Sequence, residues 1–298
     1  MKILLTGCRG QVGWELIRAL QPLGTLQACT REQLDIGRPD QVSAVIAALQ
    51  PDVVVNAAAY TQVEAAETDA SRALAVNAQA VGDLAEACRR QNALLVHFST
   101  DYVFDGLSQT PYREDATPSP LNIYGLSKLR GDERIAASGC RHLVLRVGWI
   151  YSLRRVNFLK SILARVREGQ DLRVVADQVG APTPAWVIAD TTARMLQRRL
   201  DSSRLRDFDG LVNVACTGST SWHGFARHII DELVERPARH EALHLPRVPR
   251  VEAIDSAALG AHARRPSWSC LDLERLTVDW NLPLPAWRDA LERTLREA

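Results

Sequence analysis

The sequence predicts a doubly wound α/β fold: a parallel sheet with helices on both faces, joined to a smaller α/β part. Two observations carry that expectation. Short, wholly apolar runs alternate with amphipathic stretches of helical period through the first half of the chain. A glycine-rich turn follows the first of those runs directly. Strands that are apolar throughout are buried on both faces, which is the situation of a parallel sheet covered by crossover helices.

The elements follow in order. Ile3–Leu5 reads as the first buried strand, and Gly10–Leu20 as a helix with Val12, Leu16, Ala19 and Leu20 on one face. Val53–Val55 is a further strand, Ser71–Arg90 a helix, Leu94–Val96 a strand, Tyr124–Ala137 a helix and Leu143–Leu145 a strand. Beyond about Gly148 the rhythm loosens, and proline, tryptophan and arginine become more frequent. A helix over Val187–Leu200 and a strand over Leu211–Ala215 stand out there, and the segment near 187–216 is expected to return to the first sheet.

The bulk composition narrows the classes. The chain has 298 residues, 46% of them hydrophobic, enough for one large core or two modest ones. Lys+Arg is 36 and Asp+Glu 35, so no single-sign field points to nucleic acid as a partner. The cysteines, Cys8, Cys29, Cys88, Cys140, Cys216 and Cys270, show no metal-ligand or CxxC spacing and read as free thiols of a reducing compartment. The opening MKILLTG reads as a strand rather than a signal peptide, and no run reaches membrane-span length. The expectation is a cytoplasmic protein without a membrane partner.

Gly7-Cys8-Arg9-Gly10-Gln11-Val12-Gly13 is a GxxGxxG turn between the first strand and the first helix. Its glycines permit a tight turn and close backbone approach, and the helix start presents free N–H groups to a pyrophosphate. Residues 1–150 are therefore expected to form a Rossmann-type dinucleotide-binding domain, and 151–298 an interleaved substrate domain. An acidic residue about 20 positions on would select NAD through the ribose hydroxyls. Here Thr30-Arg31 stands instead, and Arg31 suits a 2′-phosphate, which favours NADPH with NADH also possible. Asp35-Ile36 is expected to frame the adenine.

Tyr124 and Lys128 form a YxxxK pair on one helical face. The chain has only three lysines, so a lysine at a motif position is informative. A neighbouring ammonium favours the phenolate, and the expectation is a tyrosine with a lowered pKa that exchanges a proton with a carbonyl or alcohol oxygen. Ser99 or Thr100, following the Leu94–Val96 strand, is placed to bond the substrate oxygen, because ligands of parallel sheets lie beyond the carboxyl ends of the strands. Asn56-Ala57-Ala58-Ala59 ends another strand with small residues that admit a cofactor.

With these residues in place, the chain resembles the dTDP-4-dehydrorhamnose reductases, a branch of the extended short-chain dehydrogenases. The likeness runs through LTGCRGQVGWE (5–15), NAAAY (56–60), STDYVF (99–104), PLNIYGLSK (120–128), DQVGAPT (177–183) and ARRPSWSCL (263–271), the last two being the more specific. The resemblance implies hydride delivery from NADPH or NADH to C4 of dTDP-4-dehydro-β-L-rhamnose, the last step of dTDP-rhamnose biosynthesis. It implies Tyr124 as proton donor, assisted by Lys128, with Thr100 on the ketone oxygen. It also implies Gly10, Gln11, Val12, Ala59, Tyr60 and Thr61 on the cofactor, joined by Gly7, Gly13 and Ala58 from the same motifs, and Thr100, Asp101 and Trp149 on the substrate.

Trp149 follows the Leu143–Val147 run, where an indole serves either a sugar ring or core packing. Arg265 has the guanidinium that suits a diphosphate. Some relatives bridge a dimer through magnesium. Glu15 matches one carboxylate of that site, but Trp186 stands where a second is expected, so no metal is anticipated and the chain is expected to be a monomer or homodimer. Two alternatives stay open: another nucleotide-sugar reductase or epimerase on the same scaffold, and a non-catalytic NADP-binding subunit. The complete Thr100, Tyr124 and Lys128 set argues for catalysis.

Overall fold

The computed structural model describes residues 1–201, 210–236 and 247–297. The chain runs β1 (Lys2–Thr6), α1 (Gln11–Leu20), β2 (Thr25–Cys29), α2 (Pro39–Leu49), β3 (Val53–Asn56), α3 (Val63–Thr68), α4 (Ala70–Leu74), α5 (Ala80–Gln91), β4 (Leu94–Thr100), α6 (Ile123–Ser138) and β5 (His142–Val147). There follow β6 (Ile150–Tyr151), α7 (Phe158–Arg167), β7 (Leu172–Val175), β8 (Val179–Gly180), β9 (Thr183–Pro184), α8 (Ala185–Asp201) and β10 (Gly210–Asn213). Then come β11 (Thr220–Ser221), α9 (Trp222–Glu235), β12 (Val251–Ile254), α10 (Glu274–Val278) and α11 (Trp287–Arg296).

The main sheet has six strands in the order β10-β5-β4-β3-β1-β2, all parallel. Alternation along each strand splits its side chains between two cores. Ile3, Leu5, Val53, Val55, Val96 and Leu145 meet α1, α8 and α10 on one face. Leu4, Val54, Leu95 and Val144 meet α2, α5 and α6 on the other. Burying both faces is what makes these strands apolar throughout. The order reverses at β1, between β2 and β3, and this opens the crevice beyond the carboxyl ends of the strands.

The helix expected over Ser71–Arg90 is interrupted. Ala75–Gln79 forms a π turn between α4 and α5, placing Asn77 in the interior. No period in the sequence signals it, because a single π turn leaves the apolar spacing on either side helical. Beyond β5 a separate core gathers Tyr151, Leu159, Ile162, Val174, Phe225, Ile229 and Leu291 from β6, α7, β7, α9 and α11. The chain re-enters the first core twice, with α8 and β10, and again with Leu276, Trp280 and Leu282. Residues 202–209, within the segment near 187–216, lie outside the described residues.

Candidate active site

The glycine turn has geometry that larger residues would break. Gly7 has φ +68°, and a Cβ there would lie 2.5 Å from the Ala58 nitrogen. A Cβ on Gly13 would lie 2.1 Å from the Gly7 carbonyl oxygen, so the helix packs directly on the turn. Gly10 caps α1 without a side chain, leaving the first N–H groups of the helix unclaimed, as an anionic ligand requires. Val12 packs half-buried against the first core. The Gln11 side chain accepts at Oε1 from Ser152 Oγ (2.9 Å) and Asn157 Nδ2 (2.8 Å), tying the start of α1 to the segment after β6. These bonds take the amide oxygen, leaving the Nε2 group and the backbone for a cofactor.

At the end of β2, Thr30 donates its N–H to Gln33, and Arg31 extends into solvent with its Nε 3.1 Å from Asp35. Asp35 also accepts from the Gly37 N–H, and these partners hold its carboxyl below the usual range despite partial burial. Asp35 is thus tied up in its own loop, while Ile36 is buried beside it. After β3, Ala58 is half-buried, Ala59 and Thr61 are exposed, and Tyr60 is fixed at both backbone groups by the side chain of Asn77. The same amide donates to Ser127 of α6, so the π turn ties this loop to the helix that carries Tyr124 and Lys128.

Helix α6 starts at Asn122, whose Oδ1 accepts from the Gly125 N–H (2.8 Å) and whose Nδ2 donates to the Arg264 carbonyl (2.7 Å). A Cβ at Gly125 would lie 2.2 Å from the Tyr102 carbonyl oxygen, so the helix lies against the 101–103 turn. That approach brings the Tyr124 hydroxyl into hydrogen-bond contact with Thr100. Thr100 Oγ1 donates to Asp101 Oδ1 (3.2 Å) and accepts from the Tyr102 N–H (3.2 Å), and its contact with Tyr124 favours the phenolate form.

The expected lowering of the tyrosine pKa is not what the structure shows. Burial pushes Tyr124 up to about 12, and the nearby carboxylates of Asp101 and Asp132 add to the rise. Lys128, wholly buried, points its Nζ at His97 Nε2 (2.9 Å) instead. Burial brings Lys128 down to about 8, opposed by the Asp132 carboxylate. Burial likewise raises Asp132 and Asp101 to about 6. Tyr124 therefore rests as a phenol, ready to give a proton.

The two specific motifs of the second half build one wall together. Val179 and Ser267–Ser269 exchange backbone hydrogen bonds of 2.8 Å, and Gly106 packs against Ser267 so closely that a Cβ would lie 2.6 Å from its nitrogen. Trp149 sits inside this wall at φ +48°, an uncommon backbone for a bulky residue. Its Nε1 donates to Ser269 Oγ, a Cβ on Gly180 would lie 2.3 Å from that nitrogen, and its ring stacks on Trp222 at 3.6 Å. One face of the indole is thus taken by protein.

Arg265 is 19% exposed and pairs with Glu64 at 2.6 Å while bonding the Tyr102 hydroxyl. It is neither a free surface arginine nor an unpaired anion site. With Phe158, Arg165, Gln178 and Trp222 it lines a cavity of about 250 Å³. Glu15 lies beside a second carboxylate after all. Asp190, one turn beyond Trp186, meets Arg18 at 2.7 Å, and the same guanidinium lies 3.8 Å from Glu15. The arginine occupies the position between the two acids, and no three metal-ligating side chains gather among the described residues.

His97, Asn56, Asp132, Asn77, Asn122 and Trp222 are parts of the site whose roles no motif or spacing signals. Asn56 and His97 had a readable signal: both stand at or near carboxyl ends of neighbouring parallel strands. The others depend on packing between distant segments.

Comparison with known proteins places this arrangement. A family model described as the RmlD substrate binding domain matches residues 1–298. A dTDP-4-dehydrorhamnose reductase of Burkholderia thailandensis is 42% identical over 298 residues, covering 100% of this chain and 99% of the relative. One from Escherichia coli K12 is 36% identical over 301 residues, covering 100% and 98%. The crystal structure of the Bacillus anthracis dTDP-4-dehydrorhamnose reductase in complex with NADP superposes with a TM-score of 0.88 at 30% identity, covering 100% of this chain and 99% of that one. The chain belongs to the dTDP-4-dehydrorhamnose reductase family.

Proposed function

We propose that the chain reduces the C4 ketone of dTDP-4-dehydro-β-L-rhamnose to dTDP-β-L-rhamnose at the expense of NADPH, with NADH as a possible substitute. The observation that carries the reading is the convergence of buried Thr100, Tyr124 and Lys128 at the carboxyl edge of the sheet, with burial favouring the phenol form of Tyr124. Family membership over the full length supports the nucleotide sugar as substrate. The residues fit the cofactor: the cradle at Gly7 and Gly13 would be filled by any Cβ, and the start of α1 is unclaimed. Bound there, the nicotinamide supplies the hydride.

The chain's own residues do the rest. Thr100 and Tyr124 hold the ketone oxygen, and Tyr124 gives its proton to that oxygen as it becomes an alcohol. The phenolate left behind is buried, and a charged Lys128 one turn along α6 stabilises it. Asp101 orients Thr100. Trp149, backed by Trp222, presents its remaining surface to the sugar, and the cavity bordered by Arg265 and Arg165 suits the diphosphate side of the substrate. The part built on the second core is thus the nucleotide-sugar domain. No helix among the described residues is long and apolar enough to cross a membrane, in keeping with a cytoplasmic enzyme.

The test is a coupled assay with purified protein, NADPH and the ketone generated in place, followed at the reduced-nicotinamide absorbance with the product identified by mass and NMR. Oxidation with formation of dTDP-rhamnose is the expected result. NADPH that binds without being oxidised would overturn the reading.

A further inference from the structure

Three side chains of the main sheet stand in one row. Thr6, Asn56 and His97 are direct register partners across β1, β3 and β4, and so point to the same face. All three are buried, and α6 covers them with Lys128. Thr6 Oγ1 donates to Asn56 Oδ1 at 2.6 Å, Asn56 Nδ2 lies 3.1 Å from His97 Nδ1, and His97 Nε2 lies 2.9 Å from Lys128 Nζ.

The proton positions along this row follow from one backbone group. The Ala58 N–H bonds Asn56 Oδ1 at 3.2 Å, and a backbone N–H can only donate. The amide oxygen therefore faces Ala58 and the NH2 faces His97, so Nδ1 is an acceptor. A neutral imidazole then carries its proton on Nε2, aimed at Lys128. An ammonium has no lone pair to receive it. Charging Lys128 must break this bond or reverse both ring tautomer and amide, at the expense of the Ala58 bond.

We propose that His97 is a positioning residue for the reaction: held as the Nε2–H tautomer by Asn56, it donates to Lys128 and favours the amine over the ammonium. The proposal rests on the reductase reading for its consequence: the ammonium form of Lys128 stabilises the phenolate left on Tyr124, and the amine form held by His97 does not. His97 itself stays neutral, because burial and the Lys128 charge hold its pKa well below the ordinary value. The other charged groups facing the pair are Asp132, which favours the ammonium and is bonded by Ser99, Arg146 behind Asp132, and Asp101 beside Tyr124.

The first test needs no substrate. Nitrogen-15 histidine spectra of the NADP-bound protein report which ring nitrogen of His97 carries the proton. Nε2–H is expected, and Nδ1–H overturns the proposal. The second test is the alkaline limb of kcat/KM against pH. Asn56→Asp offers His97 an acceptor at Nδ1 and turns Nε2 into an acceptor for the ammonium, while His97→Leu removes the donor. Both should move the limb up by about one pH unit. A limb unmoved in both variants overturns the proposal, and if neither variant folds the tautomer alone decides. Absence of turnover with the dTDP ketone would remove the reductase reading while leaving the tautomer result intact.

Discussion

The sheet edge and the wall around Trp149 solve the same problem, holding polar groups in a buried site, by different means. At the edge, regular elements do it. Parallel register aligns Thr6, Asn56 and His97, and one helix brings Tyr124 and Lys128 over them. At the wall, short irregular segments far apart in sequence, 177–183 and 263–271, bond to one another and close on a strained tryptophan. Function at the edge depends on register and proton position. At the wall it depends on shape, and single side chains there are expected to matter for substrate fit rather than for chemistry.

The strongest way to break that contrast is Tyr124→Phe. Turnover should fall about 1,000-fold while NADPH affinity stays within about threefold, measured by steady-state kinetics and fluorescence titration. Retained turnover would remove Tyr124 from the chemistry. Next comes Gly13→Ala, whose Cβ would meet the Gly7 carbonyl at 2.1 Å; NADPH affinity should drop about 100-fold. Gly10→Ala, with 3.3 Å to the same oxygen, should cost only a few-fold, and equal losses would refute the steric account. At the wall, Trp222→Ala takes away the surface behind Trp149. KM for the nucleotide sugar should rise about tenfold with NADPH affinity unchanged.

Smaller still is the effect of Arg31→Ala, about five- to tenfold on NADPH binding and little on NADH, since the guanidinium is exposed and already paired with Asp35. Equal losses for both cofactors would end its assignment to the 2′-phosphate. The least is a pH effect on stability. Lys128 has a folded pKa below its unfolded value, so the unfolded chain binds more protons between about pH 8 and 10. The raised pKa values of the buried Cys216 and Cys270 thiols and of Tyr124 act in the opposite sense, so the effect of Lys128 is read as a difference: relative to Lys128→Met, the cofactor-free wild-type protein should gain stability with pH across that window. A difference between the two proteins that stays flat or falls would contradict the buried position.

The same division explains what could be read from the sequence. The parallel sheet, the glycine turn and the Tyr124–Lys128 pair were legible because period and spacing act locally. Full-length family likeness was legible from motifs. The upward shift of Tyr124 was not, because it comes from burial and from the carboxylates of Asp101 and Asp132, which the packing of separate segments brings beside it. The engagement of Gln11 by Ser152 and Asn157, of Arg265 by Glu64, and of Asp190 beside Glu15 also depend on contacts between remote segments. A motif names such residues without fixing their partners.

The π turn at Ala75–Gln79 has a consequence for chain length. A residue of α-helix accounts for about 100° of rotation, so one extra residue in a turn rotates everything after it by about that angle. Deleting one residue here would let α4 run smoothly into α5, yet it would swing Val81, Leu84 and Cys88 off the sheet or Asn77 away from Tyr60 and Ser127. The helix can serve the core or the site without its irregularity, but not both, and a single-residue deletion at this point should be far more damaging than any single substitution on the helix's outer face.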